Sequence, residues 1–229
     1  MSKRNRSKLS TFDENTVANK TIRIKTIGDE QRAVIDLIKK SRITFIHGCA
    51  GTGKTWLATL FGLKEFMERK YKRLIFTRPC VEANGEKLGM LPGTADDKIA
   101  PYMIPIFDII TQKITLKELK KYIEDGSIKT LPLAFMRGVS FLDSYVIFDE
   151  AQNSLISQMR MFLTRIGSNS SLVVTGDVNQ SDIDGKNGLS DAIERFKNVR
   201  DIGIIGLSEK SIVRDPIIEV VEAKYNNKN

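Results

Sequence analysis

The sequence predicts one α/β domain with a mostly parallel central sheet and helices on both faces. Short apolar runs alternate along the chain with longer amphipathic stretches, the order expected when each strand returns through a helix. The 229 residues, of which 41% are hydrophobic and 28% charged, suit a single large core. We place this domain over residues 26–229 and assign residues 1–25 to a basic, flexible N-terminal arm.

Six short apolar runs predict the strands, and the stretches between and around them predict the helices. Leu116–Asp125 is followed by Gly126, which is typical of a helix C-cap. The expected strands are Ile43–His47, Leu74–Thr77, Lys129–Ala134, Tyr145–Phe148, Leu172–Thr175 and Ile202–Leu207. The expected helices are Asp29–Lys40, Lys54–Lys70, Leu116–Asp125, Ser154–Arg165, Asp191–Phe196 and Ile212–Tyr225.

Composition excludes several classes of protein. Two Cys and one His cannot supply a disulfide framework, a Cys/His zinc site or most His-based triads. No apolar run approaches the ~20 residues of a membrane span and no signal-peptide pattern opens the chain, so we expect a cytoplasmic protein without a membrane partner. The chemistry must therefore come from carboxylates, Lys, Arg, hydroxyls and the backbone.

The net charge of +8 is concentrated at the N-terminus. Residues 1–25 hold seven basic and two acidic residues, which gives +5 of the total. Such an arm is attracted to polyanions such as nucleic acid, or it is a solvated tail that aids solubility. The sequence leaves both interpretations open.

A glycine-rich motif follows the first predicted strand and opens the second predicted helix. In Gly48-x-x-x-x-Gly53-Lys54-Thr55, glycines let successive backbone N–H groups face phosphates at the positive end of a helix. Lys54 is expected to reach the β- and γ-phosphates, and the Thr55 hydroxyl to ligate Mg²⁺. The predicted nucleotide-binding residues are Gly48, Cys49, Ala50, Gly51, Thr52, Gly53, Lys54, Thr55 and Trp56.

Two adjacent carboxylates follow the strand Tyr145–Phe148. At the carboxyl edge of a parallel sheet they lie in the ligand crevice, beside the glycine-rich loop. Asp149 is predicted to hold Mg²⁺, and Glu150 to orient and partly deprotonate the attacking water. A lone Asp-Glu pair is weak evidence, but the loop upstream makes the assignment specific.

Two glutamines complete the predicted site. Gln180, in Gly176-Asp177-Val178-Asn179-Gln180, is predicted to sense the γ-phosphate or the lytic water, although Gly176-Asp177 is also typical of a simple turn. Gln31 lies in the first turn of the predicted helix that precedes the first strand, and it is predicted to read the adenine edge with its amide. The alternative for Gln31 is a solvated helix residue.

Taken together, these motifs resemble the first RecA-like domain of superfamily 1 helicases and, more specifically, the PhoH-like ATPase family. The resemblance covers residues 28–225 and rests on long, unusual strings. They are Gly48–Thr55, Thr77–Ala83, Gly85–Gly93, Pro132–Gly138, Asp149–Asn153, Gln158–Gly167 and Thr175–Gln180.

The resemblance implies an ATPase with ATP and Mg²⁺ as ligands, a ring-forming homo-oligomer (a hexamer is favoured), and single-stranded nucleic acid, preferably RNA, as partner. A helicase closes a second RecA-like domain over ATP, so we expect neighbouring subunits to complete the site here. Among the arginines in family-like strings, Arg165 and Arg214 are favoured over Arg137 as a cation supplied to the γ-phosphate in trans.

Other interpretations remain open at this stage. Arg78, in Thr77-Arg78-Pro79, either contacts a nucleic-acid backbone or pairs with an internal carboxylate. The runner-up function is an ATP-dependent regulatory switch that acts through a protein partner without unwinding. A small-molecule kinase fits the glycine-rich loop but neither Asp149–Gln152 nor Gly176–Gln180.

Overall fold

The structure, a computed structural model, describes residues 21–79, 95–183 and 185–213, together with positions 217 and 224. Within these residues, six strands form one sheet in which every pairing is parallel, in the order β3-β2-β4-β5-β1-β6. The strands are β1 (Ile43–Gly48), β2 (Arg73–Thr77), β3 (Ile128–Thr130), β4 (Ser144–Phe148), β5 (Ser171–Gly176) and β6 (Ile202–Leu207).

Helices cover both faces of this sheet. The described helices are α1 (Gly28–Lys40), α2 (Lys54–Met67), α3 (Ala95–Thr111), α4 (Leu116–Glu124), α5 (Ile156–Leu163) and α6 (Gly188–Arg195). Alternate strand residues enter two separate apolar clusters: Ile147 packs with α1–α4, whereas Val146 and Phe148 pack with α5 and α6. The predicted α/β domain is therefore confirmed.

The parallel pairing brings the motif-bearing loops to one edge of the sheet. Strand β5 lies between β1, which leads into the glycine-rich loop, and β4, which leads into Asp149 and Glu150. Strand β2, which leads into Arg78, pairs with the other side of β4. We call this the carboxyl edge. The residues predicted to share a site thus lie on four adjacent strand ends.

Several predicted boundaries were wrong for local reasons. The run Lys129–Ala134 is a strand only through Thr130, because Pro132 cannot donate to a ladder, and a 3₁₀ turn follows at Leu133–Met136. Helix α6 begins three residues earlier than predicted, where the Asn187 side chain accepts a 2.9 Å hydrogen bond from Ser190 N. Most of the predicted helix Ile212–Tyr225 lies outside the described residues.

The N-terminal boundary lies earlier than residue 25. Ile22 is buried in the cluster of α1–α4, and Ile24 packs against that cluster. Residues 21–25 therefore belong to the packed domain, and the rest of the predicted arm lies outside the described residues. None of the helices in the described segments combines the length and apolar character needed to cross a membrane.

Candidate nucleotide-binding site

The glycine-rich loop curls at the carboxyl end of β1 and leads into α2. Gly53, the residue before α2, has φ +86°, and Gly48 has φ +144°. A Cβ on Gly48 would lie 2.4 Å from the carbonyl oxygen of Leu207 on the paired strand β6, so only glycine fits there. Inside the loop, the Thr52 hydroxyl donates to Cys49 O at 2.9 Å. This curvature leaves backbone N–H groups at the positive end of α2 for phosphate.

Lys54 is folded back onto the loop. Its Nζ donates to Gly48 O at 2.6 Å and to Cys49 O at 2.8 Å. Burial lowers the pKa of the Lys54 ammonium, while the nearby carboxylates of Asp177, Glu150 and Asp149 act in the opposite direction. The Lys54 ammonium therefore donates to two backbone carbonyl oxygens of the loop, and the oxygens of a bound phosphate would replace them.

A buried carboxylate links α2 to two strands. Asp149 Oδ1 accepts a 2.7 Å hydrogen bond from the Thr55 hydroxyl and a 2.6 Å hydrogen bond from the Thr175 hydroxyl. Burial raises the pKa of Asp149, and the positive charge of Arg78 opposes that shift. Oxygen ligands of this kind suit Mg²⁺, which commonly takes one or two protein ligands and completes its shell with water and phosphates. Thr55 and Asp149 therefore fit the predicted metal role.

Glu150 lies next to this pair and more open to solvent. Its Oε1 is 2.9 Å from Arg78 Nη2, and its Oε2 accepts a 2.6 Å hydrogen bond from Gln152 Nε2. Arg78 Nη2 also lies 3.3 Å from Asp149 Oδ2. Of the two interpretations that the sequence left open for Arg78, the internal carboxylate pair is the arrangement found.

These groups line a cavity of about 710 Å³ at the carboxyl edge. Its lining also includes Gln31, Trp56 and the glycine-rich loop, while Pro105 and Ile109 of α3 contribute apolar surface. The size and the mixture of an apolar wall with a few polar groups are those of a small-molecule site. Within the described residues, no cluster of three or more His, Cys, Asp or Glu side chains is arranged to hold a metal by itself.

Gln31 is buried and already held at both ends of its amide. Its Oε1 accepts a 2.8 Å hydrogen bond from Ile27 N, and its Nε2 donates to Thr52 O at 3.1 Å. The side chain therefore ties the start of α1 to the glycine-rich loop while it lines the cavity. A solvated helix position, the alternative from the sequence, is wrong.

The remaining predicted residues lie further from the cavity. Gln180 is exposed, and its described contact is a turn from its backbone N to Asp177 O, 3.1 Å. Arg165 lies beside the start of β4, where its carbonyl accepts from Phe141 N at 2.9 Å. This is the opposite edge of the sheet, about 17 Å away for a five-residue strand. Arg214 lies outside the described residues.

Two site residues escaped the sequence analysis. Thr175, the next-to-last residue of β5, donates to Asp149 Oδ1, and Gln152 Oε1 accepts a 3.1 Å hydrogen bond from Asp177 N. Both lie inside strings that carry the family resemblance, but a Thr in an apolar strand and a Gln shortly after an acidic pair are common. Their contacts run between strands and leave no local signal.

This arrangement of loop, buried carboxylate and intervening strand defines the class of P-loop NTPases. The chain belongs to the PhoH-like protein family, whose model matches residues 23–226. The predicted family resemblance is therefore confirmed, and the parallel sheet agrees with the predicted α/β fold class.

Relatives with the family name cover nearly the whole chain. The PhoH-like protein of Bacillus subtilis is 40% identical over 225 residues, 96% of this chain and 70% of that protein. The PhoH-like protein of Mycobacterium tuberculosis (strain H37Rv) is 41% identical over 93% of this chain and 60% of its own length. Protein PhoH of Escherichia coli K12 is 35% identical over 83% of this chain and 55% of its own length. The chain thus spans between about half and 70% of these relatives.

Two solved structures match parts of this chain at low sequence identity. The Pif1 helicase from Candida albicans matches 89% of this chain and 44% of its own, with 18% identity and a TM-score of 0.45. The Pyrococcus furiosus Hef helicase domain matches 78% and 37%, with 14% identity and a TM-score of 0.45.

Proposed function

We propose that the protein binds and hydrolyses ATP to act as an oligomeric motor or remodeller on single-stranded nucleic acid, with RNA preferred. The observation that carries the hydrolase assignment is the position of Glu150. A partly exposed carboxylate lies beside the buried Thr55–Asp149 pair and lines the same cavity as the glycine-rich loop. A water in that cavity would meet a proton acceptor and a phosphate cradle together.

In the proposed reaction, Glu150 accepts a proton from water as the water oxygen attacks the γ-phosphorus. The bond from the γ-phosphorus to the β,γ-bridging oxygen breaks, which gives ADP and inorganic phosphate. Lys54 turns from the Gly48 and Cys49 carbonyls to the β- and γ-phosphates and balances their charge. A Mg²⁺ ion bound with the nucleotide at Thr55 and Asp149 would supply further charge neutralisation.

An exposed aromatic side chain supports nucleic acid as the partner. The 3₁₀ turn after β3 buries Leu133 and Met136, which lie three residues apart on one side, so Phe135 points outward with 58% of its surface exposed. Leu131 N donates to Phe76 O, which places this turn beside the end of β2 and Arg78. Exposed Arg137 follows. A stacking ring beside cations is the composition of a single-strand site.

Arg165 supports the oligomer. It cannot reach its own cavity from the opposite edge of the sheet, and its Nη2 lies at an exposed position, where it donates to Thr164 Oγ1 at 3.2 Å. We propose that it serves the γ-phosphate of a neighbouring subunit, in a ring for which six copies are favoured. Arg214 is the alternative donor.

The test is ATP turnover with and without single-stranded oligouridylate, compared between the parent and Glu150→Gln. The amide is isosteric but cannot accept the proton, so we expect turnover to fall by about 100-fold or more while ATP binding persists. Lys54→Ala should weaken both binding and turnover. Parent-like turnover in Glu150→Gln would remove Glu150 as the base. Equal ATP turnover with and without oligouridylate would favour the regulatory switch.

A further inference from the structure

Two side chains hold the Glu150 carboxylate, one on each of its oxygens. Arg78, at the end of β2, contacts Oε1 at 2.9 Å, and Gln152 donates to Oε2 at 2.6 Å. Gln152 is itself fixed, because its Oε1 accepts from Asp177 N at the end of β5. The carboxylate at the proposed catalytic position is therefore tied to the ends of β2 and β5, the two strands that flank β4.

The two side chains that contact Glu150 differ in how accessible they are to solutes. Gln152 is buried, and a Cβ on Gly176 would lie 2.5 Å from its Oε1, so its amide is tightly enclosed. Arg78 instead lines the open cavity, with 20% of its side chain exposed. A solute that enters from the carboxyl edge can reach the guanidinium of Arg78 far more easily than the amide of Gln152.

The contact with Arg78 works against the proposed role of Glu150. A guanidinium proton occupies a lone pair of Oε1, and Gln152 occupies one of Oε2, so fewer acceptor sites face a water molecule. The same guanidinium also lies between Glu150 and Asp149. In this arrangement the Glu150 carboxylate accepts from two side chains, and it is less available to accept a proton from the attacking water.

We infer that Arg78 is a positioning residue that restrains Glu150 until a backbone phosphate of single-stranded nucleic acid draws its guanidinium away. The inference rests on the proposed function, since it assigns a regulator to the same base. Phosphate is a suitable competitor, because arginine binds it through two parallel charge-assisted hydrogen bonds. Release of Oε1 would then leave Glu150 anchored by Gln152 and open to water.

The position of Arg78 makes this coupling direct. It follows β2 at the carboxyl edge, beside the turn that carries Phe135, and it contacts both carboxylates of the proposed hydrolysis site. A phosphate bound there needs no distant rearrangement to affect Glu150. Nucleic acid would stimulate hydrolysis by drawing the guanidinium away from both carboxylates.

The experiment compares Arg78→Ala and Arg78→Lys with the parent in ATP turnover, with and without single-stranded oligouridylate. Arg73→Ala is the matched control, since Arg73 begins the same strand and is exposed at the opposite edge. In Arg78→Ala we expect turnover at saturating ATP without oligouridylate to rise at least about threefold, with the stimulation ratio near one. Arg78→Lys, which keeps the charge but not the fork, should fall between. Arg73→Ala should match the parent.

Two results would overturn the inference. One is a turnover of Arg78→Ala, measured without oligouridylate, that is equal to or lower than the parent's while ATP binding and the unfolding temperature are retained. Arg78 would then not restrain the reaction. The other is a parent-like stimulation ratio in Arg78→Ala. If that variant unfolds early, Arg78→Lys decides by the same two measurements.

Glu150→Gln in the same assay separates this failure from failure of the proposed function. An inactive Glu150→Gln with a stimulated parent and a parent-like Arg78→Ala refutes the coupling alone. A parent that hydrolyses no ATP, or a fully active Glu150→Gln, refutes the proposed function and the coupling with it.

Discussion

Thr175 donates a 2.6 Å hydrogen bond to the same oxygen of Asp149 that accepts from the Thr55 hydroxyl. The two hydroxyls come from β5 and α2, so the carboxylate is oriented from both sides before any ligand binds. Asp149 is almost fully buried, and a buried carboxylate needs such donors to remain in place.

Replacement of Thr175 by Val should loosen Asp149 without changing the volume of the side chain. We expect a loss of about 1–3 kcal/mol in the free energy of unfolding, because a buried charged acceptor loses a donor. The Mg²⁺ concentration that half-saturates nucleotide binding should also rise. Chemical denaturation and titration of a fluorescent ATP analogue measure the two effects. Thr44→Val, on neighbouring β1 away from Asp149, is the control.

Replacement of Phe135 by Ala should weaken single-strand binding while the fold is unaffected. A stacked base contributes about 1–3 kcal/mol, so the dissociation constant for oligouridylate should rise roughly 5- to 150-fold. Fluorescence anisotropy measures it. Leu116→Ala removes a similarly exposed apolar side chain on α4 and should leave binding unchanged. Equal affinities for both variants and the parent would contradict the stacking site.

Mixing of two inactive variants tests whether Arg165 acts in trans. Lys54→Ala lacks a working phosphate cradle and Arg165→Ala lacks the proposed finger, but some mixed interfaces pair an intact cradle with an intact arginine. We expect turnover to return in part when equal amounts are mixed. Light scattering should confirm mixed oligomers. No recovery in confirmed mixed oligomers would exclude Arg165, and the same design then applies to Arg214.

Two tyrosines in contact should respond oppositely to loss of their hydroxyls. Tyr71 OH lies 2.8 Å from Ser171 Oγ, whereas the fully buried Tyr145 OH has no hydrogen-bond partner among the described residues. Tyr71→Phe should cost about 1 kcal/mol, while Tyr145→Phe should be neutral or stabilising, since it removes an unsatisfied buried group. Denaturant midpoints distinguish them. A larger loss for Tyr145→Phe would reveal a missed partner.

His47, the one histidine in the sequence, should make the protein less stable in mild acid. Burial is the main cause that lowers its pKa, and the positive charge of Lys54 adds to it. As the pH falls through about 6.5, the unfolded chain takes up a proton that the folded chain resists, so the free energy of unfolding decreases by up to about 1.4 kcal/mol per pH unit.

Denaturation of the parent and His47→Gln at pH 7.5 and 5.5 measures this effect. The parent should lose more stability than the variant over that interval. The difference between the two proteins removes the contributions of other groups, including Asp149, whose pKa burial raises. Equal losses would show that His47 is protonated as readily in the folded protein as in the unfolded chain.

The sequence by itself determined the sheet, the glycine-rich loop and the position of the two carboxylates. Each is a local pattern: apolar runs that end in Gly48 or Asp149, and a spacing that only a phosphate loop requires. Because all strands are parallel, these local signals also predicted that the loops meet at one edge.

Tertiary structure alone decided how the side chains of the site are paired. Arg78 had two possible partners in the sequence, and Gln152 and Thr175 had no signal, because their contacts join strands that are far apart along the chain. The same holds for Gln31, which the packing of α1 buries against Thr52. Hydrogen bonds between strand ends depend on pairing order and register, and these arise only when the whole sheet has assembled.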